Sequence, residues 1–354
     1  MIPSSVDVPI KVELYSDTMT KPSDGMRKAM AVAEVGDEQK GEDPSTNELV
    51  DLVKGLLGKE EAVFLPSGTM CNAIAFAVHC RPGDEIFLDE KSHPLHYEAG
   101  GPAALAGALV HPLSGDRGIF TAEQLEQALK PVSRYAPRAR LVSIEQPSVL
   151  GGGRCWSLAD ILEVTGAARQ HGLLTHLDGA RLFNAVTATG TSARDFAAPF
   201  DSVWIDLSKG LGCPVGGVLA GSREFITEAW RLKQRWGGAM RQSGMIAAAG
   251  TYALRNNIGR LTEDHENARL LADRLALEPK ISVNPAEVET NIVFFSLVDS
   301  QIDAAEFNRR LMREAGVRFS VLGPNLIRAV THLDVTTSDV IYAADAISRV
   351  LTDK

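Results

Sequence analysis

The sequence has few cysteines, no long apolar run and no excess of positive charge, and each absence excludes a class of protein. Its four cysteines form no CxxC pair, so we expect neither a disulfide framework nor a metal site built on cysteines. The net charge of −9 argues against nucleic acid or an anionic membrane as the main partner. No apolar run approaches the roughly 20 residues of a membrane-spanning helix. Because the N-terminus lacks a cationic stretch followed by an apolar one, we expect no secretory signal and a cytoplasmic protein.

What the chain does have is an alternation of short apolar runs with amphipathic stretches from about residue 45 onward. Seven of the apolar runs are predicted strands: Ala62–Leu65, Ile86–Leu88, Ala108–Pro112, Leu141–Glu145, Leu173–Asp178, Ser202–Leu207 and Gly217–Ala220. Strands that alternate with helices of about 10–15 residues indicate an α/β fold whose mainly parallel sheet is covered on both faces. The sequence therefore predicts a large α/β domain around a seven-stranded sheet.

The pattern changes after about residue 256. A long helix is followed by predicted strands at Asn291–Leu297 and Leu326–Thr331, and then by a terminal helix that begins at Ser338. This order is typical of a small α+β domain. We therefore predict an N-terminal segment at residues 1–30, a large domain at residues 31–256 and a small C-terminal domain at residues 257–354.

Open α/β sheets bind their ligands at the carboxyl ends of the strands, so polar residues at those ends are candidate site residues. The predicted strand Ala62–Leu65 runs into Ser67-Gly68-Thr69 just before a helix. A helix N-terminus of this composition offers N–H groups, hydroxyls and a positive dipole end to a phosphate. The chain has neither a P-loop (GxxxxGK followed by Ser or Thr) nor a GxGxxG fingerprint. Ser67–Thr69 is thus either a phosphate-binding turn or an ordinary helix cap.

Two further strand ends carry charged residues. Asp178 ends an apolar strand, where a carboxylate needs a partner such as a protonated ring nitrogen or the nearby Arg181. Lys209 follows the next predicted strand in a glycine-rich turn, where a partly dehydrated amine suits Schiff-base chemistry, although a lone Lys-Gly is more often a surface loop. A phosphate turn, an acidic strand end and a lysine strand end together match the phosphate, ring nitrogen and aldehyde of pyridoxal phosphate.

Eight stretches of the sequence occur in the order found in one known family. They are SDTMTKPS (Ser16–Ser23), VGDEQKGEDPSTN (Val35–Asn47), FLPSGTMCN (Phe64–Asn72), HPLHYEAGG (His93–Gly101), HLDGARLFNA (His176–Ala185), LSKGLGCPVG (Leu207–Gly216), GGAMRQSGMIAAAGTYAL (Gly237–Leu254) and IRAVTHLDV (Ile327–Val335). Through them the chain resembles the threonine aldolase family along nearly its whole length. The resemblance implies pyridoxal 5'-phosphate as the cofactor and the transferase-like architecture of fold-type-I enzymes.

The resemblance also implies which residues hold the cofactor. Lys209 would carry it as a Schiff base, and Asp178 would pair with its ring nitrogen. Arg241 would reach the cofactor phosphate of a neighbouring subunit. The full set of implied cofactor-binding residues is Ser67, Gly68, Thr69, His93, Asp178, Arg181, Lys209 and Arg241.

For the substrate, the resemblance implies that Arg181, Arg328 and Ser16 bind the carboxylate of an amino acid. A guanidinium suits a planar carboxylate better than an ammonium does. His93 would act on the β-hydroxyl as a base, directly or through a water, or would only stack on the cofactor ring. Many relatives carry a histidine after the fourth predicted strand, and Ser148 takes roughly its place here. We therefore count Ser148 among the expected substrate-binding residues.

The implied reaction is the reversible cleavage of L-threonine, L-allo-threonine and related β-hydroxy-α-amino acids to glycine and an aldehyde. The resemblance also implies a homodimer or homotetramer with active sites at the dimer interface. A β-eliminating lyase or an amino-acid racemase would use the same lysine, aspartate and arginines, and a catalytically silent scaffold would keep the fold. The chain departs from the family pattern at Tyr15, where relatives have an arginine, and at Lys40, where they often have a tyrosine.

Overall fold

The computed structural model describes residues 9–299 and 301–352. Residues 1–8, the start of the segment in which we expect no secretory signal, lie outside these ranges. The chain forms two compact units. The large unit is Pro22–Ile258, and the small unit combines the described residues of Met1–Lys21 with those of Gly259–Lys354. Residues 9–21 belong to the small unit, whereas we predicted an N-terminal segment at residues 1–30.

Strands and α-helices alternate through most of the chain, as the spacing of its apolar runs predicts. The strands are β1 (Val12–Leu14), β2 (Glu61–Leu65), β3 (Asp84–Asp89), β4 (Leu109–Leu113), β5 (Arg138–Glu145), β6 (Leu174–Gly179), β7 (Ser202–Asp206), β8 (Gly217–Gly221), β9 (Ile281–Ser282), β10 (Ile292–Leu297), β11 (Val317–Val321) and β12 (Leu326–Val330). The helices are α1 (Asp24–Ala31), α2 (Pro44–Leu57), α3 (Gly68–His79), α4 (His93–His96), α5 (Gly101–Ala106), α6 (Ala122–Ala128), α7 (Leu158–Gln170), α8 (Leu182–Thr189), α9 (Ala193–Ala197), α10 (Arg223–Arg235), α11 (Gly244–Asn256), α12 (Leu261–Leu275), α13 (Ala304–Ala315) and α14 (Thr337–Thr352).

The large unit is built on a seven-stranded sheet with the strand order β2-β8-β7-β6-β5-β3-β4. Neighbouring strands from β4 to β7 in this order are parallel, whereas β8 runs antiparallel to both β7 and β2. All residues of β3, β7 and β8 are buried, which is typical of strands in the interior of an α/β domain. The predicted α/β fold with a mainly parallel seven-stranded sheet is confirmed.

The register of the sheet decides which side chains meet at its carboxyl edge. Glu145 of β5 lies beside Asp178 of β6, and Asp178 lies beside Trp204 of β7. Parallel strands end at the same edge of a sheet. The turn after β7, with Lys209, therefore lies at the same edge as Glu145 and Asp178. The edge therefore brings together side chains that lie far apart in the sequence.

The small unit is built on a five-stranded sheet with the order β1-β11-β12-β10-β9. Its first strand pairs in parallel with β11 near the other end of the chain, Val12 beside Val317. The remaining pairs are antiparallel. Buried apolar residues of α12, α13 and α14, among them Leu271, Phe307 and Ile347, belong to the same core as the sheet. This arrangement is the α+β pattern that the end of the sequence predicts.

The helix cap of α6, the cysteines and the hydropathy of the helices are further features of the fold. Thr121 and Gln124 form a reciprocal capping box at the start of α6, which stabilises a helix N-terminus. All four cysteines are free thiols. Within residues 9–299 and 301–352, no helix is long and apolar enough to cross a membrane, and no cluster of side chains has the composition of a metal site.

Candidate active site

The phosphate turn predicted at Ser67, Gly68 and Thr69 is the N-terminus of α3, directly after β2. Ser67 caps the helix, because its Oγ accepts a hydrogen bond from the backbone N–H of Met70 at 3.2 Å. Glycine is required at position 68, since a Cβ atom there would lie 2.3 Å from the indole ring of Trp204. The turn combines backbone N–H groups, two hydroxyls and the positive end of a helix dipole, and it therefore fits a phosphate.

Asp178 lies near the end of β6 and is 1% exposed. Its carboxylate accepts hydrogen bonds from Nδ2 of Asn72 at 2.8 Å and from the backbone N–H of Ala180 at 3.0 Å. Burial raises the pKa of Asp178, and the hydrogen bond from Asn72 opposes this rise. A buried carboxylate at a strand end suits a protonated ring nitrogen, which is the partner that the sequence predicts for it.

Asn72 is a site residue that sequence reasoning misses. It is fully buried in α3, and its side-chain amide donates to Asp178 and to Oε1 of Glu98, both at 2.8 Å. Its Oδ1 accepts a hydrogen bond from the indole N–H of Trp204 at 2.8 Å and lies 3.2 Å from Nε2 of His176. Asn72 thus holds two buried carboxylates close together and fixes the ring of Trp204. The signal in the sequence was an amide residue within an otherwise apolar helix.

His93 begins α4, and two carboxylates hold it. Its Nδ1 lies 2.9 Å from Oε1 of Glu98, and its backbone N–H donates to Oε2 of Glu145 at 3.1 Å. Burial lowers the pKa of His93, but the hydrogen bond with Glu98 and the charge of Asp178 outweigh burial, so that this pKa lies above its ordinary value. Because Glu98 engages Nδ1, Nε2 is the ring nitrogen that can exchange a proton with a substrate.

Glu145 is the second residue that sequence reasoning leaves without a role. It lies beside Asp178 at the carboxyl edge of the sheet and is 5% exposed. Besides the N–H of His93, its carboxylate accepts the backbone N–H of Val149 at 3.3 Å. Burial, together with the like charge of Asp178, raises the pKa of Glu145 to about 7. A carboxyl group that changes charge near neutral pH therefore stands next to two predicted catalytic residues.

Lys209 lies in the glycine-rich turn after β7 and is paired with Asp206 at the end of that strand. Its Nζ is 2.6 Å from Oδ2 of Asp206, and the two side chains are 15% and 5% exposed. The other oxygen of Asp206 accepts hydrogen bonds from the backbone N–H and the hydroxyl of Ser208, at 2.6 and 2.8 Å. The partly dehydrated lysine that the sequence predicts is present, but it has a carboxylate partner that the sequence did not predict.

Trp204 connects the three predicted strand-end features into one cluster. Its ring lies against Gly68, and its N–H donates to Asn72, which in turn donates to Asp178. Nζ of Lys209 lies 5.6 Å from the centroid of the same ring. The phosphate turn, the acidic strand end and the lysine are therefore arranged around one buried indole.

Ser148 lies in the loop after β5 and is 2% exposed. Its Oγ fills the space beside two glycines: a Cβ atom on Gly118 would lie 1.9 Å from this oxygen, and one on Gly151 would lie 2.8 Å from it. Its backbone N–H donates to the carbonyl oxygen of Arg154 at 2.9 Å. The position predicted to contact substrate is thus closely packed, and a histidine there would require the neighbouring glycine turns to move.

Arg241 lies in the loop between α10 and α11, and its side chain is 63% exposed. Its guanidinium is 2.8 Å from the carboxylate of Asp37. Glu38 anchors this loop by accepting the hydroxyl of Ser243 at 2.8 Å. Glu38 is itself held in a buried ion pair with Lys233, with 2.6 Å between Nζ and Oε1. An exposed guanidinium on an anchored loop is compatible with the predicted contact to a neighbouring subunit.

Ser16 and Arg328, two of the residues predicted to bind the substrate carboxylate, belong to the small unit. Oγ of Ser16 accepts the backbone N–H of Thr18 at 3.2 Å, which caps a short 3-10 helix. Arg328 lies on β12, and its guanidinium donates to the carbonyl oxygen of Tyr15 at 3.3 Å. Arg181 belongs to the large unit, where it is buried directly before α8. The roles of all three in substrate binding stay predictions.

Comparison with known proteins gives the family. A family model described as beta-eliminating lyase matches residues 13–297. The chain is 40% identical over 346 residues to low-specificity L-threonine aldolase 1 of Arabidopsis thaliana, and the match covers 96% of each chain. The chain belongs to the threonine aldolases of the beta-eliminating lyase family. The family predicted from the sequence is therefore confirmed.

Further similarities extend over nearly the whole chain. The low specificity L-threonine aldolase of Escherichia coli K12 is 37% identical over 336 residues, which cover 94% of this chain and 97% of that protein. An alanine racemase of Cochliobolus carbonum is 32% identical over 354 residues, covering 97% of this chain and 87% of that protein. The solved structure of a Leishmania major threonine aldolase matches with a TM-score of 0.83 at 19% identity, over 96% of this chain and 100% of that one.

These findings confirm the predicted fold class, cofactor and enzyme class, so the protein is a pyridoxal-phosphate-dependent lyase of fold type I. They concern the family as a whole and do not test the roles of individual side chains. The roles assigned to Lys209, Asp178, His93 and the arginines stay predictions.

Proposed function

We propose that this protein is an aldolase that cleaves L-threonine, L-allo-threonine and related β-hydroxy-α-amino acids to glycine and an aldehyde, reversibly. The observation that carries the proposal is the cluster around Trp204, which links the turn at Gly68 to Asp178 and Lys209. Two relatives that match nearly the whole chain are named as low-specificity threonine aldolases, which supports this class of substrate.

The residues present fit pyridoxal phosphate. The N-terminal turn of α3 would receive the phosphate, Asp178 would pair with the ring nitrogen, and Lys209 would bond to the aldehyde carbon as a Schiff base. When bound, the cofactor supplies an electron sink for the charge left on Cα when a bond to that carbon breaks. Asp178 keeps the ring nitrogen protonated, because a buried carboxylate stabilises a nearby positive charge.

The arginines hold the substrate. Arg181 is 6% exposed, so its charge is poorly screened by water and attracts a carboxylate strongly. The family resemblance implies that Ser16 and Arg328 would bind the same carboxylate, and the resulting orientation about Cα would select which bond to Cα breaks.

His93 takes the proton of the β-hydroxyl, directly or through a water. Glu98 holds Nδ1 at 2.9 Å, which directs Nε2 to the substrate as the proton acceptor. Only the neutral imidazole accepts a proton, so the rate rises with pH through the pKa of His93, which Glu98 and Asp178 place above its ordinary value. Once protonated, the ring is stabilised by the same carboxylates.

Replacing His93 by phenylalanine tests this role, because a phenyl ring still stacks on the cofactor but accepts no proton. We expect kcat for L-threonine to fall by about 100-fold while the visible spectrum of the bound cofactor is kept. A variant that keeps both kcat and the spectrum would show that His93 only stacks.

A second candidate function is racemisation of an amino acid on the same scaffold. The similarity to an alanine racemase over 97% of this chain favours it. The family name makes β-elimination a related possibility. Both reactions begin by breaking the bond between Cα and its hydrogen, and they need no base at the β-hydroxyl. The products therefore distinguish the three reactions.

The test is to incubate the purified protein, loaded with cofactor, with L-threonine, L-allo-threonine and L-alanine separately. Release of glycine and acetaldehyde from the threonine isomers supports the aldolase. Formation of 2-oxobutanoate and ammonia would replace it by a β-eliminating lyase, and formation of D-alanine would replace it by a racemase. Lys209→Ala is the control for reactions that do not use the Schiff base.

The homodimer or homotetramer implied by the family resemblance is also part of the proposal. In support, Val32 is an apolar side chain that is 80% exposed. It lines a cavity of about 430 Å³ between α1, α2 and α11, and a second subunit placed over this cavity would remove the side chain from water. Light scattering coupled to gel filtration measures the mass, and a monomer would contradict the proposal. The cytoplasmic location expected from the sequence stays a prediction.

A further inference from the structure

The side chain of Asp206 lies between two groups that the cofactor needs. One is Nζ of Lys209, 2.6 Å from Oδ2 of Asp206. The other is the turn at the start of α3, because a Cβ atom on Gly68 would lie 3.2 Å from the same oxygen. Asp206 is 8% exposed, so its charge acts on both groups with little screening by solvent.

At the turn, the charge of Asp206 opposes the cofactor. The N-terminus of α3 favours the negative charge of a phosphate, and a carboxylate beside it repels that charge. When Lys209 is paired with Asp206, its ammonium compensates this repulsion. When Lys209 bonds to the cofactor aldehyde, the compensation is lost.

At the lysine, Asp206 also opposes attachment. Only a neutral amine attacks an aldehyde, whereas a hydrogen-bonded ion pair stabilises the ammonium. Lys209 must therefore give up its contact with Asp206 before it bonds to the cofactor. The repulsion of the phosphate and the stabilisation of the ammonium both favour the state in which Lys209 is not bonded to the cofactor.

We propose that Asp206 is a positioning residue that weakens the attachment of the cofactor to Lys209 and receives the lysine when a substrate displaces it. This inference rests on the proposed function, since it assumes that Lys209 carries pyridoxal phosphate. Asp206 acts through Lys209 and takes no part in breaking a bond of the substrate.

The exchange balances in atoms and charge. With a neutral Schiff base before and after the exchange, the nitrogen of the substrate ammonium would give up its three protons and form the double bond to the aldehyde carbon of the cofactor. The double bond from that carbon to Nζ of Lys209 would break, and Nζ would take up the same three protons and leave as an ammonium. The resulting ammonium returns to Asp206, so no water and no outside acid is consumed.

The test is the affinity for pyridoxal phosphate of Asp206→Asn, measured on cofactor-free protein by titration of the visible absorbance. Asparagine keeps an oxygen for the N–H and hydroxyl of Ser208 but removes the charge. We expect a Kd about tenfold lower than in the wild type, because the variant no longer stabilises the ammonium form of Lys209 with a charged hydrogen bond. An unchanged or higher Kd would overturn the proposal.

Asp201→Asn is the matched control. Asp201 lies directly before the same strand and accepts hydrogen bonds from the N–H and hydroxyl of Thr175, at 2.7 and 3.0 Å. We expect no change in its Kd, and a tenfold decrease there as well would overturn the proposal. If Asp206→Asn does not fold, Asp206→Ser also removes the charge, and the same expectation applies to it.

The wild type separates failure of this inference from failure of the proposed function. If borohydride reduction of the loaded wild type leaves no cofactor on Lys209, the proposed function fails and this inference fails with it. If the wild type is labelled on Lys209 but Asp206→Asn binds no more tightly, only the role of Asp206 is wrong.

Discussion

Asn72→Ala is the substitution for which we expect the largest loss of stability. It removes an amide group that makes four hydrogen bonds, to Asp178, Glu98, Trp204 and His176, at 2.8 to 3.2 Å. Asn72 is 0% exposed, so water from the solvent does not replace these hydrogen bonds. The two carboxylates and the indole N–H are then left without this partner.

The magnitude follows from the number of groups that lose a partner. Each buried polar group without a hydrogen bond costs about 1–3 kcal/mol. Protonation of one carboxylate relieves part of this cost, so we expect the free energy of unfolding to fall by about 3–5 kcal/mol. Because the hydrogen bond from Asn72 lowers the pKa of Asp178 against the effect of burial, its loss raises that pKa further. A neutral Asp178 pairs poorly with a protonated ring nitrogen, so the cofactor binds more weakly.

Urea unfolding of cofactor-free protein measures the first effect, and titration with pyridoxal phosphate measures the second. Asn257→Ala is the control, since Asn257 is also buried, in the same unit, but its amide donates to one carbonyl oxygen, that of Leu211, at 2.8 Å. We expect a loss of about 1–2 kcal/mol there and no change in cofactor affinity. Equal losses in the two variants would refute the view that Asn72 organises the site.

Three further predictions concern neighbouring residues. Gly68→Ala places a methyl group 2.3 Å from the buried indole of Trp204 and should lower the free energy of unfolding by about 1–3 kcal/mol. The control, Gly55→Ala, lies in open space in α2 and should raise this free energy slightly. Thermal unfolding measures both, and an unchanged melting temperature for Gly68→Ala would contradict the close contact between residue 68 and the indole. Glu145→Gln removes a carboxyl group whose pKa burial raises to about 7. Between pH 5 and 7 the folded state therefore keeps a proton on Glu145 that the unfolded state loses, so the free energy of unfolding of the cofactor-free wild type should fall with rising pH. We expect this fall to be steeper than in the variant by about 1.4 kcal/mol per pH unit. Urea unfolding at several pH values measures it, and the same pH dependence in both proteins would speak against a buried, protonated Glu145. Glu98→Gln removes the charge that raises the pKa of His93, so NMR titration of that imidazole should give a lower pKa than in the wild type; an unchanged value would show that Glu98 does not hold the ring.

Much of this site is predictable because it depends on local patterns. Asp178 lies near the end of an apolar strand, whereas Ser67–Thr69 and Lys209 each follow one. The carboxyl ends of parallel strands lie at the same edge of a sheet. The fold class alone therefore predicts that these residues lie near one another at the carboxyl edge of the sheet. The order of strands and helices in the large unit is likewise encoded by the spacing of apolar runs.

The contacts that fix the side chains are not local and escape such reasoning. Asn72 bonds to Glu98 across 26 residues and to Trp204 across 132 residues of sequence. No periodicity specifies which rotamers bring these groups within hydrogen-bond distance. The same holds for the start of the chain, where β1 joins a sheet whose other strands begin only after residue 280.

Asp206 shows a different limit. It stands three residues before Lys209, and a polar residue at the end of a buried strand was a visible signal. The pattern indicates that such a carboxylate needs a partner, but it does not say that the partner is the reactive lysine itself. That assignment needed the 2.6 Å distance between Nζ and Oδ2.

We propose that this chain uses Lys209 and pyridoxal phosphate to break the bond between Cα and Cβ of a β-hydroxy-α-amino acid. The most direct test follows uniformly ¹³C-labelled L-threonine by NMR in the presence of the loaded wild type, with Lys209→Ala alongside. We expect labelled glycine and labelled acetaldehyde in equal amounts with the wild type and neither product with the variant. Labelled 2-oxobutanoate, threonine inverted at Cα without cleavage, or glycine formed equally well by Lys209→Ala would contradict this proposal.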